Sequence, residues 1–152
     1  MILDGYCGDS TVTVEIGQVG PRRRQLIVTT RETMMVGIEA ARLGRQIGDI
    51  GYAMQLYAES RGYGVVANFI GHGLGRRMHE PPEVPSVGQP GTGPTIPEGL
   101  VITIEPILVE GSPEVRVDPD GWSIRTVDGG YAAQFEHTIM TGRGGPTILS
   151  AL

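Results

Sequence analysis

Two glutamates stand where strand-forming sequence would ordinarily be buried. Glu105 lies within Val101-Ile102-Thr103-Ile104-Glu105-Pro106-Ile107-Leu108, and Glu136 within Ala132-Ala133-Gln134-Phe135-Glu136-His137-Thr138-Ile139. A carboxylate taken out of water without a partner is costly, or takes up a proton. All 12 basic residues of the chain are arginines, and none falls in either segment. Two such carboxylates, with an imidazole and a further acid at hand, suggest a divalent metal. The plainer alternative is that each glutamate lies on a solvent-facing row of antiparallel sheet. Thr103 and Glu105 share one parity, and Gln134, Glu136 and Thr138 share another, so two wet faces would account for them equally well.

The histidines sharpen the reading. His72 sits in Gly71-His72-Gly73-Leu74-Gly75, which reads as a loop. Glycines on both sides permit close backbone approach and leave the ring free to meet a ligand. His79 follows just before Glu80-Pro81-Pro82, a stiff segment. Asp9 borders a strand and can project toward the same centre, whereas Asp4 of Asp4-Gly5 reads as a turn residue. One histidine with three carboxylates is a mixed nitrogen and oxygen donor set. It suits Mn, Fe(II), Co or Zn better than a thiolate-seeking metal.

These residues need a scaffold, and the chain spells out one of α+β class. Residues 1–16 read as two short strands joined by a turn, one at 1–3 and one at 11–14. Pro21 opens a helix, Ile27, Met34, Ile38 and Ala41 follow helical spacing, and Gly44 marks its stop. A second helix covers about 47–60, with Ile50, Met54, Tyr57 and Ala58 as its buried stripe and Gly62 closing it. A short strand is expected around Val65-Val66 and Phe69-Ile70, and a loop over 85–97. Three longer strands are expected at 100–108, 120–130 and 131–140. Strands, two helices, then a run of strands predicts a mostly antiparallel curved sheet with both helices on one face.

Composition bounds the function. The chain has 152 residues and a mass of 16.2 kDa, the size of one domain, read as 1–152. Hydrophobic residues at 39% and charged residues at 19% are too apolar for disorder and too mixed for a membrane protein. A net charge of −5 with scattered acids argues against nucleic-acid and anionic-membrane partners. The N-terminus lacks the pattern of a secretory signal, and the single cysteine, Cys7, fits a reducing compartment. A cytoplasmic protein is expected.

Taken in order, Gly71-His72-Gly73-Leu74-Gly75, His79-Glu80-Pro81-Pro82, Thr103-Ile104-Glu105-Pro106, Asp120-Gly121-Trp122 and Ala133-Gln134-Phe135-Glu136-His137-Thr138 resemble type I methionine aminopeptidases, members of the pita-bread metallopeptidases. The resemblance covers essentially the whole chain. It implies a pita-bread fold and hydrolytic removal of N-terminal methionine from nascent chains whose second residue is small. By position, it implies Asp9, His72, Glu105 and Glu136 as ligands of the family's tighter metal site, with Asp9 and Glu136 bridging to a second ion. Glu105 would also move the proton of the attacking water. His79 would contact the scissile peptide and steady the developing oxyanion. Met78, where the family usually carries Phe, and Trp122 would line the pocket for the methionine side chain.

The resemblance also implies an absence. The counterpart of the family's fifth ligand, an aspartate, would fall before Met1, together with the family's N-terminal half. One metal site is therefore expected, with the second weakened. Self-association, or pairing with a separate N-terminal half, would cover the face left open. A non-catalytic binding module of the same fold and an X-Pro-type peptidase are the alternatives.

Overall fold

The structure, a computed structural model, describes residues 1–151. Three short strands open the chain: β1 (Ile2–Leu3), β2 (Tyr6–Cys7) and β3 (Ser10–Thr11). Two helices follow, α1 (Pro21–Ala40) and α2 (Ile47–Glu59). The rest is β structure: β4 (Gly64–Val65), β5 (Gly71–Gly73), β6 (Glu80–Val84), β7 (Val101–Ile104), β8 (Ile107–Val109), β9 (Val115–Val117), β10 (Ile124–Thr126), β11 (Ala132–Gln134), β12 (Glu136–Met140) and β13 (Thr147–Ile148). The principal sheet runs β13-β12-β7-β5-β6, with β3 also pairing with β12. A second sheet runs β11-β8-β4, and every pairing in both sheets is antiparallel.

Side-chain alternation along β7 and β12 gives the principal sheet two unlike faces. Ile102 and Ile104 of β7 and Ile139 of β12 are fully buried on one face. They meet Met34 and Ile38 of α1 and Ile50 and Met54 of α2, which form the main core with Val84, Ile96 and Phe135. Burying each such side chain is worth roughly 1.5–3 kcal/mol. Thr103, Glu136 and Thr138 point to the other face, since Thr138 pairs directly opposite Thr103. A smaller core of Leu26, Ala58, Val65, Leu108 and Ala133 ties both helices to the second sheet.

Two expected strands are each broken in two. The segment 100–108 divides into β7 and β8 at Glu105-Pro106, because proline has no N–H to continue the ladder. The segment 131–140 divides into β11 and β12 at Phe135, which buries its ring in the main core. The breaks lie side by side, because β7 pairs with β12 while β8 pairs with β11. Both chains cross from one sheet to the other there, and both glutamates stand at the crossing.

Other elements differ more locally. β1 pairs with β2 across Asp4-Gly5, both at positive φ, instead of with the segment at 11–14, which joins β12 through Ser10 and Thr11. The glycine-flanked segment read as a loop is strand β5, and the two prolines after Glu80 lie in β6. Proline is tolerated there because β6 is an edge strand. Only Gly64–Val65 is strand in the region of 65–70. The segment 120–130 contributes just Ile124–Thr126, since Asp120 caps a turn by accepting the Trp122 and Ser123 N–H groups at 2.9 and 2.8 Å. Its partner β9 was not anticipated.

The helices come closer to expectation. α1 ends at Ala40 and leaves Gly44, at φ 78°, to the connecting turn. Its buried stripe includes Thr29, Thr30 and Thr33, which apolar spacing does not reveal. Thr30 and Thr33 donate their hydroxyls back to the Leu26 and Thr29 carbonyls at 2.7 and 2.8 Å, so burial leaves neither hydroxyl unpaired. In α2, Tyr57 is only half-buried and donates its hydroxyl to Glu32.

Gly51 lets α2 lie directly on the 85–97 segment. A Cβ there would fall 2.6 Å from both the Pro85 and the Val87 carbonyl oxygens. Gly51→Ala is therefore expected to destabilise the chain by about 1–3 kcal/mol, whereas Gly144→Ala, with open space around it, is expected to be near neutral. Urea unfolding of the two variants beside the wild type checks both values.

Candidate metal centre

His72 is central to the site and is almost wholly buried, at 9% exposure. β5 can come close to its neighbours because Gly71 and Gly73 lack side chains. A Cβ on Gly71 would lie 2.5 Å from the Thr103 carbonyl oxygen, and one on Gly73 would lie 2.2 Å from that of Pro81. The His72 Nδ1 lies 2.9 Å from the Gly73 carbonyl oxygen. A carbonyl can only accept, so this contact assigns the ring proton to Nδ1. Nε2 is then left with a free lone pair, the form in which imidazole binds a metal. It faces Glu105 Oε1 at 3.7 Å and Asp9 Oδ2 at 4.0 Å.

Each of the two glutamate carboxylates is held by a threonine hydroxyl. Thr103 donates to Glu105 Oε1 at 2.7 Å, and Thr11 to Glu136 Oε2 at 2.8 Å. Thr138 grips the backbone of Asp9, donating to its carbonyl at 2.6 Å and accepting from its N–H at 3.3 Å. Asp9, His72 and Glu136 offer one ligand atom each, all within 4.8 Å of one another. Glu105 joins them through its approach to His72.

The electrostatics are those of crowded acids. Burial first, and then the charge of Glu105, push the Glu136 carboxyl up to about 7. Burial also raises Glu105, assisted by the charge of Asp9 and opposed by the Thr103 hydrogen bond. Glu136 is 4% exposed, and its Oε1 is buried without a hydrogen-bond partner. An orphaned carboxylate oxygen, a free imidazole lone pair and the Asp9 and Glu105 carboxylates at 4.0 and 3.7 Å from that ring nitrogen fit a hard or borderline divalent cation.

The remaining sequence candidates are placed differently. The His79 ring, on an exposed residue, meets the His72 ring edge-on, with centroids 4.2 Å apart and planes at 67°. Met78 is half-buried beside it in sequence. Trp122 lies in the β9–β10 turn at 87% exposure. Neither Met78 nor Trp122 lines the cavity of about 380 Å³ that opens beside Glu105. Val66, Phe69, Ile107 and Ile124 form part of its apolar wall, with Arg125 and Gln134 at polar positions. The three threonines and this cavity were not singled out in the sequence. The threonines carried a weak signal, since Thr103 shares parity with Glu105 and Thr138 with Glu136.

The profile of the family described as Metallopeptidase family M24 matches residues 1–142. The methionine aminopeptidase of Clostridium acetobutylicum is 42% identical over 149 residues, which are 98% of this chain and 60% of that protein. Methionine aminopeptidase A of Synechocystis sp. is 43% identical over 149 residues, 98% of this chain and 59% of the relative. The chain thus spans about 60% of the length of these curated relatives. The crystal structure of methionine aminopeptidase from Rickettsia prowazekii superposes with a TM-score of 0.97 at 42% identity, over 99% of this chain and 61% of that one. Prolidase from Pyrococcus furiosus, at 22% identity and a TM-score of 0.76 over 98% of this chain and 38% of that one, shares the fold. The fold is that of the pita-bread peptidases, with two helices, antiparallel sheets and no closed barrel among the described residues.

A carboxyl raised in the folded state favours the fold most when protonated. Without metal, the contribution of Glu136 is full below about 4.5 and is lost as pH rises through about 7. Relative to Glu136→Gln, the metal-free wild type should lose about 1–3 kcal/mol of stability between about pH 5 and about pH 8, a range discounted for solvent screening. Urea titrations of both proteins in chelator, at the two pH values, check this. Cation binding should release protons below pH 7, which calorimetry in buffers of different ionisation enthalpy detects.

Proposed function

The chain belongs to metallopeptidase family M24, and from that premise we propose that it carries the metal-binding and proton-transfer residues of a methionine aminopeptidase, acting on nascent peptide N-termini whose second residue is small. The observation that supports this best is the meeting of Asp9, His72 and Glu136 around one point, with Glu105 Oε1 3.7 Å from His72 Nε2 and Glu136 Oε1 unpartnered. Identities of 42–43% over nearly the whole chain to proteins named methionine aminopeptidase favour this reading over an X-Pro peptidase or a non-catalytic relative.

In this reading the four residues hold one divalent cation of the Mn, Fe(II), Co or Zn type. A bound cation supplies Lewis acidity, polarising the scissile carbonyl and lowering the pKa of water at the site. The chain's own groups do the rest. Glu105 takes the proton of the attacking water and returns it to the leaving amine. Its carboxyl is already raised by burial, which brings its basicity nearer to neutral pH. His79, against the edge of His72 and open to solvent, donates to the oxygen on which charge develops. Peptide residues lie along the apolar cavity beside Glu105. Met78 and Trp122 take part in methionine recognition. The cytoplasm, where nascent chains carry their initiator methionine, is the proposed location. Ile2, Leu3, Val12, Val14 and Ile16 are exposed apolar residues, and self-association or a separate N-terminal half would cover them.

Incubation of the Mn²⁺-loaded chain with a Met-Ala-Ser peptide is the test. Release of free methionine is expected, abolished in His72→Ala and lowered on the order of 100-fold in His79→Ala with cation affinity retained. Cleavage of X-Pro peptides in preference would assign the proline-peptidase reading. An untouched peptide in folded, metal-loaded protein would leave the non-catalytic reading.

A further inference from the structure

Three threonine hydroxyls surround the site, and Thr103 differs from the other two. Thr11 holds only the Glu136 carboxylate, and Thr138 holds only the backbone of Asp9. Thr103 joins two of the candidate ligands across two strands. Its Oγ1 accepts the His72 N–H at 3.0 Å and donates its own proton to Glu105 Oε1 at 2.7 Å. A hydroxyl has one proton to give, and here that proton goes to the carboxylate.

The surroundings leave this hydroxyl little alternative. Thr103 is 0% exposed, so water does not compete for either bond. β5 meets β7 through a single residue pair, Gly73 with Ile102, and one step further along the His72 N–H turns to the Thr103 side chain. Gly71 permits the approach, since a Cβ there would come within 3.1 Å of Thr103 Oγ1. Branching at Cβ narrows the side chain to few χ1 wells, which keeps the hydroxyl aimed. On the other face of the sheet, Ile102 and Ile104 lock β7 into the core.

We propose that Thr103 is a positioning residue of the cation site, its one hydroxyl setting the separation between the His72 imidazole and the Glu105 carboxylate. The inference rests on the reading of these residues as cation ligands. Because the hydroxyl binds the His72 backbone rather than its ring, it acts by placing β5. Because it binds one oxygen of Glu105, it fixes the rotation of that carboxylate. Thr103 meets neither substrate nor cation and works through the two residues it joins.

The test uses the full chain with Mn²⁺ alone as the probe. Affinity is measured by calorimetry for the wild type, Thr103→Val, Thr103→Ser and Thr103→Ala, alongside exchange of the His72 amide proton in the metal-free proteins. Thr103→Val keeps the shape and removes the hydroxyl. It should weaken Mn²⁺ binding about 10-fold to 100-fold and speed exchange at His72. Thr103→Ser should restore both toward the wild type, a rescue that a role in packing alone would not produce. Should Thr103→Val fail to fold, Thr103→Ala takes its place with the same expectation. A folded Thr103→Val with wild-type affinity and a protected His72 amide overturns the proposal, as does equal loss in the serine and valine variants. If the wild type itself binds no Mn²⁺, the functional reading fails, and exchange at His72 alone decides whether Thr103 holds the two strands.

Discussion

Asp9, Glu105 and Glu136 bring three carboxylates around one imidazole, and the repulsion between like charges withdrawn from water is the constraint on which the rest of the site depends. Burial and the neighbouring acids raise both glutamates, and the hydrogen bonds from Thr103 to Glu105 and from Thr11 to Glu136 oppose the rise. Hydrogen bonding from neutral hydroxyls reduces the cost without removing it, because a hydroxyl donates one proton and carries no charge. Thr11 and Thr103 each satisfy one carboxylate oxygen, and Glu136 Oε1 remains without a partner. Such an arrangement is stable as a fold when protonated or when a cation completes it.

The fold supports this by keeping the charged cluster and the apolar core on opposite faces of one sheet. Ile102, Ile104 and Ile139 alternate with Thr103, Glu105 and Thr138, so one register serves both faces. A slip of one residue would turn the glutamates into the helices. Proline at 106 and the buried Phe135 end β7 and start β12 at neighbouring points, and this puts Glu105 and Glu136 side by side where the chain changes sheets. Close approach of β5, which only glycine at 71 and 73 allows, brings in His72.

Much of this was legible beforehand, and the part that was not has a common cause. Both helices, the antiparallel class and the two glutamates near His72 follow from periodicity and from polar residues in apolar runs. Parity within each strand was also correct, but it could not say that the rows of Glu105 and Glu136 are the same face. That depends on Thr138 pairing with Thr103, a contact between residues 35 apart in the chain. The breaks at Glu105-Pro106 and Phe135 were hidden because each segment is strand-like on both sides of the break. Strand β5 looked like a loop because its glycines serve packing instead of a turn. Buried Thr30 and Thr33 were missed because a hydroxyl bonded to its own helix behaves as an apolar residue toward the core.

The most direct measurement of the central claim is anomalous diffraction at the manganese edge from crystals of the chain soaked in Mn²⁺. One strong peak bonded to His72 Nε2 and to carboxylate oxygens of Asp9, Glu105 and Glu136 is the result this account predicts. A peak elsewhere with these four side chains unmoved, or no peak in crystals where His72 still stands against Glu105, would contradict it.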